Sequence, residues 1–286
     1  MCAPRRRAAR RALELPPSFV VGSYAILIFA CIVSVVPFLY VLSTSFKETK
    51  SLFSYPPEWI PHQLYYGNYS NLILEHPYLW WMANTFFVSV SVTAIKLILD
   101  SMAAYSLAKM QFHGKKSLTV LLLLSVAIPG TALLIPLFLT ARSFGLLNSY
   151  WALILPPLAN PLGIFMLRSF ITSLPQDIEH SARLDGASEM RIFFKIILPL
   201  VGPGLVVHAI FIFLLQYTNF VWPLIAIHDI DKQMLTVGIS SLKAIFTVDW
   251  GLISAASLLA TLPIIVTFIF LQRYFMAQSL AGALKE

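Results

Sequence analysis

Few residues in this 286-residue chain are of types that do chemistry, and most of them stand apart. There is no G-x-x-x-x-G-K-[ST] phosphate loop and no acidic partner for one, so nucleotide hydrolysis is not expected of this chain. His180, His208 and His228 are scattered, and no His, Cys, Asp and Glu cluster has metal-ligand spacing. No resident metal or cofactor is expected. Two groups of polar residues remain. The dense one contains His180, Ser181, Ala182, Arg183, Asp185, Gly186, Ala187 and Glu189, where charges alternate with small residues that permit close approach. The sparse one lies in otherwise apolar runs: the amides Asn84, Asn160, Gln216 and Asn219, with the rings of Tyr217 and Trp222. Amides inside apolar segments either contact a solute or cross-link helices, and the sequence leaves both open. Lys96 and Asp100, four residues apart, can pair across one helical turn.

The elements that must position these residues follow from composition. The chain is 58% hydrophobic and 12% charged, where a soluble domain carries about 25% charge. A soluble helical core of this kind would be unable to cover its own surface, so a membrane-embedded, all-α protein is expected. Cys2 is terminal and Cys31 lies inside an apolar run, which gives neither a disulfide framework nor a metal motif.

Residues 1–18 form a basic arm with Arg5, Arg6, Arg7, Arg10 and Arg11. The apolar run that follows is too long for a signal peptide and lacks a clear cleavage site, so it reads as a retained first span. Six spans are expected, at about 19–44, 82–108, 118–141, 150–170, 201–227 and 251–274, each long enough to cross a bilayer core. A tail at 275–286 follows. Pro129, Pro136, Pro156, Pro157 and Pro161 fall in the third and fourth spans, where a bundle can absorb the freed carbonyls.

With the N-terminus inside, cytoplasmic segments hold fourteen of the twenty Lys and Arg, outer segments five, and Lys96 lies within the second span. That bias predicts a multi-pass membrane protein with both termini in the cytoplasm. It also accounts for the net charge of +7 without nucleic acid. The outer segment from Lys47 to Trp81 is rich in Pro, Tyr and Trp (Tyr55, Pro56, Pro57, Trp59, Tyr66, Trp80), a composition of headgroup anchors or of a docking surface for an external protein. The loop from His228 to Trp250 is a second candidate surface.

The dense group lies within the longest polar interruption, Ser173 to Pro203, with the loop proper at 173–200. Ser173 followed by Gln176 predicts a capping-box start, with Pro175 in the first turn. Gly186 breaks the run. Met190, Phe193, Phe194 and Ile197 predict an apolar stripe on a second short helix, and Pro199 and Pro203 lead into the fifth span. The expected shape is an amphipathic elbow between two spans.

This elbow resembles the cytoplasmic signature loop of the membrane subunits of bacterial ATP-binding-cassette importers, E-A-A, three residues, G, about nine residues, then I-x-L-P. Here it is His180-Ser181-Ala182, Gly186 and Ile196-Ile197-Leu198-Pro199. The likeness is to the carbohydrate-importer permeases, and among them the maltose-type subunit with the shorter N-terminal region. It extends through Ala182–Ser188, Ser45-Phe46-Lys47, Asn84, Ala103–Ala108, Phe144–Asn148, Asn219–Leu224, Gln272–Phe275 and Gly282–Lys285. His180 departs from the pattern by standing where the family carries an acid.

The resemblance implies a type I importer permease fold whose coupling helix seats on an ATPase through His180, Ser181, Ala182, Arg183, Asp185, Gly186, Ala187 and Glu189, with Pro199 passing motion onward. It implies a homologous permease partner, two ATPase subunits that use ATP and Mg, an extracytoplasmic solute-binding protein and a carbohydrate solute. A path lined by Asn84, Asn160, Gln216, Tyr217, Asn219 and Trp222 would follow. Sugar-phosphate or polyol importers share this pattern, and a secondary transporter working alone is the more distant alternative.

Overall fold

The computed structural model describes residues 17–50, 58–243 and 248–283. The basic arm up to residue 16, Tyr55, Pro56, Pro57 and the last residues Leu284 and Lys285 lie outside them. All the regular structure described is helical, apart from a lone Lys243–Val248 bridge. Among the described residues three helices are long and apolar enough to span a membrane unbroken, and three bent helix pairs have the length and apolar character of a span when each pair is taken together.

The chain divides into two compact units. The first comprises Met1–Tyr69 and Asp249–Leu258. Helix α1 (Pro17–Ser45) is apolar on every side and buries almost nothing until its last turn, as a helix in lipid does. Just past it the chain is pinned: Asn68 Nδ2 donates to the carbonyls of Ser45 (2.9 Å) and Lys47 (2.8 Å), and the buried Lys47 ammonium donates to Glu58 O. Asp249 Oδ1 accepts from Thr49 and from Leu252 N–H, capping the start of the last helix.

The second unit, Ser70–Val248 and Leu259–Glu286, carries the remaining helices except the first residues of the helices Gly67–Leu74 and Trp250–Ala283. Helix α2 (Gly67–Leu74) leads to α3 (Tyr78–Lys109), the longest helix within this unit and its central post. Where one unbroken third span was expected, α4 (Lys115–Val126) and α5 (Leu134–Ser143) meet at 92° around a short 3-10 turn. The cause is local: Pro129 is extended (ψ 127°) and has no N–H to carry a helix across. The fourth span is also broken, into α6 (Tyr150–Leu158) and α7 (Leu162–Thr172), bent by 46° behind Pro156, Pro157 and Pro161.

Next come α8 (Asp177–Leu184) and α9 (Glu189–Ile192), which continues through a π turn (Phe193–Ile197) into α10 (Leu198–Leu200). Pro199 lacks the N–H that would bond the carbonyl four residues back, and the wider turn sits just before it. Helix α11 (Gly202–Tyr217) then leaves at 79°. It ends ten residues short of the expected 201–227 span, and α12 (Val221–Ala226) and α13 (Leu235–Ser241) follow as separate pieces. The last helix, α14 (Trp250–Ala283), tolerates Pro263 and runs through most of the expected tail.

Helix α3 packs along α6, α7 and α11. Two apolar clusters stack along it. One gathers Val88, Val92, Leu153, Ile154, Trp222 and Met234; the other joins Ala104 and Tyr105 to Leu167, Ile171, Ile192, Phe193 and Ile197. The second cluster clamps the elbow onto the bundle.

Candidate functional site: a preformed polar elbow

Helix α8 closes with a Schellman motif. Gly186 N–H donates to Arg183 O and Ala187 N–H to Ala182 O, each at 3.0 Å, with Gly186 at φ +79°. That left-handed backbone costs any residue with a Cβ about 1–2 kcal/mol, so glycine is demanded here by conformation. Ser188 then caps α9, its hydroxyl accepting from Arg191 N–H at 3.4 Å. The expected capping box at Ser173 is absent: Ser173 Oγ donates back to Phe170 O at 2.7 Å and closes α7, while Pro175 precedes α8. A serine that completes the preceding helix cannot also start the next.

The apolar stripe is also redistributed. Phe193 and Ile197 are buried as expected, with Ile192 beside them, but Met190 and Phe194 are exposed. The π turn rotates the register, so a regular 3.6-residue stripe does not describe this segment.

Electrostatics fix the shape of the loop. Glu179 is buried, its Oε1 2.8 Å from Lys109 Nζ at the end of α3 and its Oε2 3.5 Å from Arg183. Lys109 also donates to Leu174 O at 2.8 Å. Arg183 grips Glu189 with two donors, Nε at 2.7 Å and Nη2 at 3.2 Å, and the Tyr105 hydroxyl donates to the same carboxylate at 2.8 Å. The bonds from Arg183, then that from Tyr105, hold the Glu189 carboxyl below the usual carboxylate range. Arg183 and Glu189, expected as contacts for a partner, therefore first bind each other across the bend.

What the elbow offers outward is different. His180, Ser181, Asp185, Gly186 and Pro199 are exposed; Ala187 is half-buried; Ala182 is buried against the bundle. His180 lines a cleft with Gln111, Gln176 and Arg183. At the tip stands Leu184, 90% exposed, with Met190 exposed on the far side of the bend. Sequence reading passed over Leu184, although a leucine amid Arg183, Asp185 and Gly186 was a visible signal. Lys109 and Tyr105 were missed because their partners lie 65 or more residues away in sequence.

The residues of the sparse group are occupied in different ways. Asn84 has its amide spent on helix cross-links, donating to Asp231 O (2.7 Å) and Gln233 O (3.1 Å) and accepting from Tyr150 OH (2.8 Å). Tyr217 is buried, stacked on Phe213, with its hydroxyl on Ala260 O at 3.1 Å. Trp222 is buried with its indole N–H on Ala152 O at 2.8 Å. Neither ring offers a free face of the kind expected for stacking. Asn160 is exposed at the α6–α7 break, its Oδ1 accepting from Leu162 N–H at 2.9 Å. Gln216 and Asn219 are half-buried where α11 ends. The accessible amides thus sit at interruptions of helices.

Comparison with known proteins matches this architecture. Residues 101–278 match the family model described as "Binding-protein-dependent transport system inner membrane component". The chain is 33% identical over 260 residues to the arabinooligosaccharides transport system permease protein AraQ of Halalkalibacterium halodurans, covering 90% of this chain and 93% of that one. It is likewise 33% identical to the diacetylchitobiose uptake system permease protein NgcG of Streptomyces coelicolor, over 93% of this chain and 89% of that one. In fold it is similar to a chain of a crystal structure of a bacterial ABC transporter involved in the import of the acidic polysaccharide alginate. That likeness has a TM-score of 0.82 at 21% identity and covers 92% of this chain and 99% of the other. An elbow braced between broken apolar spans and a match across most of the chain lead to one conclusion: this protein belongs to the binding-protein-dependent transport system inner membrane component family, with the type I ABC importer permease fold.

Proposed function

We propose that this chain is one of two permease subunits of an ATP-driven importer for a sugar or oligosaccharide delivered by an extracytoplasmic binding protein. It catalyses no reaction; ATP and Mg are handled by two separate ATPase subunits. The elbow faces the cytoplasm with both termini, in keeping with the positive charge on that side. The carbohydrate class is supported by relatives named for arabinooligosaccharide and diacetylchitobiose transport.

The observation that carries the reading is the elbow itself. Its internal ion pairs hold the bend in shape, so docking requires little ordering, and its outward surface combines the apolar Leu184 and Met190 with His180, Ser181 and Asp185. An apolar anchor with a polar rim is how a short helix fills a groove. His180 brings a neutral or cationic group to the position where related loops carry an acid, so the ATPase groove facing it should lack a lysine or arginine aimed at that spot.

The test is purification of the tagged chain from its native membrane. A co-purifying ATPase whose activity rises when a sugar-loaded binding protein is added is the expected result. Replacing Leu184 with Asp should lose the ATPase from the complex while leaving thermal unfolding of the permease unchanged. Transport that persists without ATP would instead favour a secondary transporter, and a binding protein that takes only amino acids would remove the carbohydrate claim.

A further inference from the structure

Three ionisable residues inside the bundle take no part in the elbow. Lys96, Asp100 and His208 are 6%, 1% and 1% exposed. Asp100 stands at the centre, its Oδ2 3.1 Å from Lys96 Nζ and 2.8 Å from His208 Nε2. Among the described residues Asp100 is the carboxylate within ion-pair distance of both. The Lys96 ammonium also donates to the carbonyl of Asn160. That carbonyl is in need of a donor, because Ile164 N–H, which would close a helical bond on it, bonds to Pro161 O instead. Gly163 is pressed against the cluster. A Cβ there would fall 2.0 Å from His208 Cε1 and 2.1 Å from Asp100 Oδ2.

Stability gives no reason to keep such a cluster. Burying charges costs several kcal/mol each, and well-packed apolar replacements of a buried ion pair are often neutral or stabilising. Ionisable residues within membrane spans mark working positions. The location says which work. Helix α11 is the direct continuation of the elbow beyond its 79° bend, and His208 lies within it, six residues past Gly202. Lys96 and Asp100 belong to α3. The Asn160 carbonyl belongs to the 46° break between α6 and α7, where an accessible amide of the expected path is found.

Building on the importer reading, we propose that Lys96, Asp100 and His208 are positioning residues that tie α11 to the α6–α7 break. Movement of the elbow is thereby converted into a change of angle in the broken span beside Asn160. The coupling is carried by one hydrogen-bonded charge relay, His208–Asp100–Lys96–Asn160 O, with Gly163 providing the room for it.

The test uses the whole complex with its ATPase in nanodiscs, with Cys2 and Cys31 replaced by serine. Spin labels are placed at Trp151→Cys and Ser169→Cys, exposed positions on α6 and α7 that straddle the break. The probe is ATP with vanadate, so no solute need be known. In the parent the label–label distance should shift on trapping. In Lys96→Met/Asp100→Leu/His208→Phe no charge is left unpaired, so ATP hydrolysis should stay within about twofold of the parent while the shift is lost. Where that triple variant fails to assemble, His208→Leu should lose the shift and His208→Gln, which keeps a hydrogen bond to Asp100, should restore it. An unchanged shift in the triple variant or in His208→Leu overturns the relay, as does a parent that hydrolyses ATP without any shift. A parent complex with no ATP hydrolysis at all would defeat the importer reading instead.

Discussion

Lys109→Met offers the sharpest check on how the elbow is held. In the native protein the ammonium bonds Glu179 Oε1 at 2.8 Å and Leu174 O at 2.8 Å, and both charged side chains are at most 4% exposed. Removing the lysine leaves a buried carboxylate whose remaining cation is Arg183, at 3.5 Å and 36% exposed. Breaking a buried pair costs about 3–5 kcal/mol, and a pair with so exposed a partner returns about 0–1 kcal/mol, for a net of about 2–5 kcal/mol. At 1.4 kcal/mol per tenfold, local opening of α8 should rise by about 30- to 4,000-fold. Hydrogen exchange of the amides from residues 174 to 187 reads this directly, with the span amides as internal control. Lys109→Met/Glu179→Leu removes both charges and should recover most of the protection. Native exchange in the single variant, or a double variant no better protected than the single, would refute the claim that this pair anchors the elbow.

Three further outcomes are expected. Gly186→Ala should lower elbow protection by about 1–2 kcal/mol, because its Schellman turn needs φ +79°, and Gly186→Asp should in addition uncouple ATP hydrolysis from import; wild-type coupling in Gly186→Asp would count against the docking role. Asn84→Ala leaves two backbone carbonyls and the Tyr150 hydroxyl unpaired, so the unfolding temperature in detergent should fall, and a loss of import with unchanged stability would instead make Asn84 a solute contact. The Glu189 carboxyl is held below its ordinary range, so its share of elbow stability is complete above about pH 4.5 and is lost as the pH falls through its lowered folded value. Exchange measured between pH 3 and 6 should therefore show the loop loosening on the acid side in the parent and losing that dependence in Glu189→Gln.

Much of this arrangement was legible in the sequence because it rests on local pattern. Long apolar runs separated by short basic segments announce membrane helices, and Gly186 between Asp185 and Ala187 announces a bend. Lys96 and Asp100 are four residues apart and pair as helical spacing predicts. What remained hidden depends on tertiary pairing or on competition between neighbours. The capping box expected at Ser173 fails because its hydroxyl is taken by Phe170 O, and the serine that caps is Ser188, at the start of the next helix. Glu179 stands one residue before the signature position, about 100° around the helix from it. Its role as an anchor required Lys109, seventy residues earlier. His208 was read as scattered, since its partner Asp100 is 108 residues distant. The prolines of the third and fourth spans were visible, but whether each bends a helix or ends it depends on which carbonyls its neighbours satisfy.

The 79° bend at Val201–Gly202 has a mechanical consequence. The rod Glu189–Leu200 holds twelve residues and, at 1.5 Å per residue, is about 18 Å long. His208 stands six residues beyond Gly202, about 9 Å along the other arm. The two arms therefore form a bell crank with a ratio of about two to one, pivoted at Gly202. A 10° turn that swings the far end of the rod by about 3 Å carries His208 through only about 1.5 Å. That smaller travel is still enough to break a 2.8 Å contact with Asp100. Such a linkage trades distance for force: a broad, soft displacement where a partner pushes becomes a short, stiff one in the interior, where side chains are packed too closely to move far.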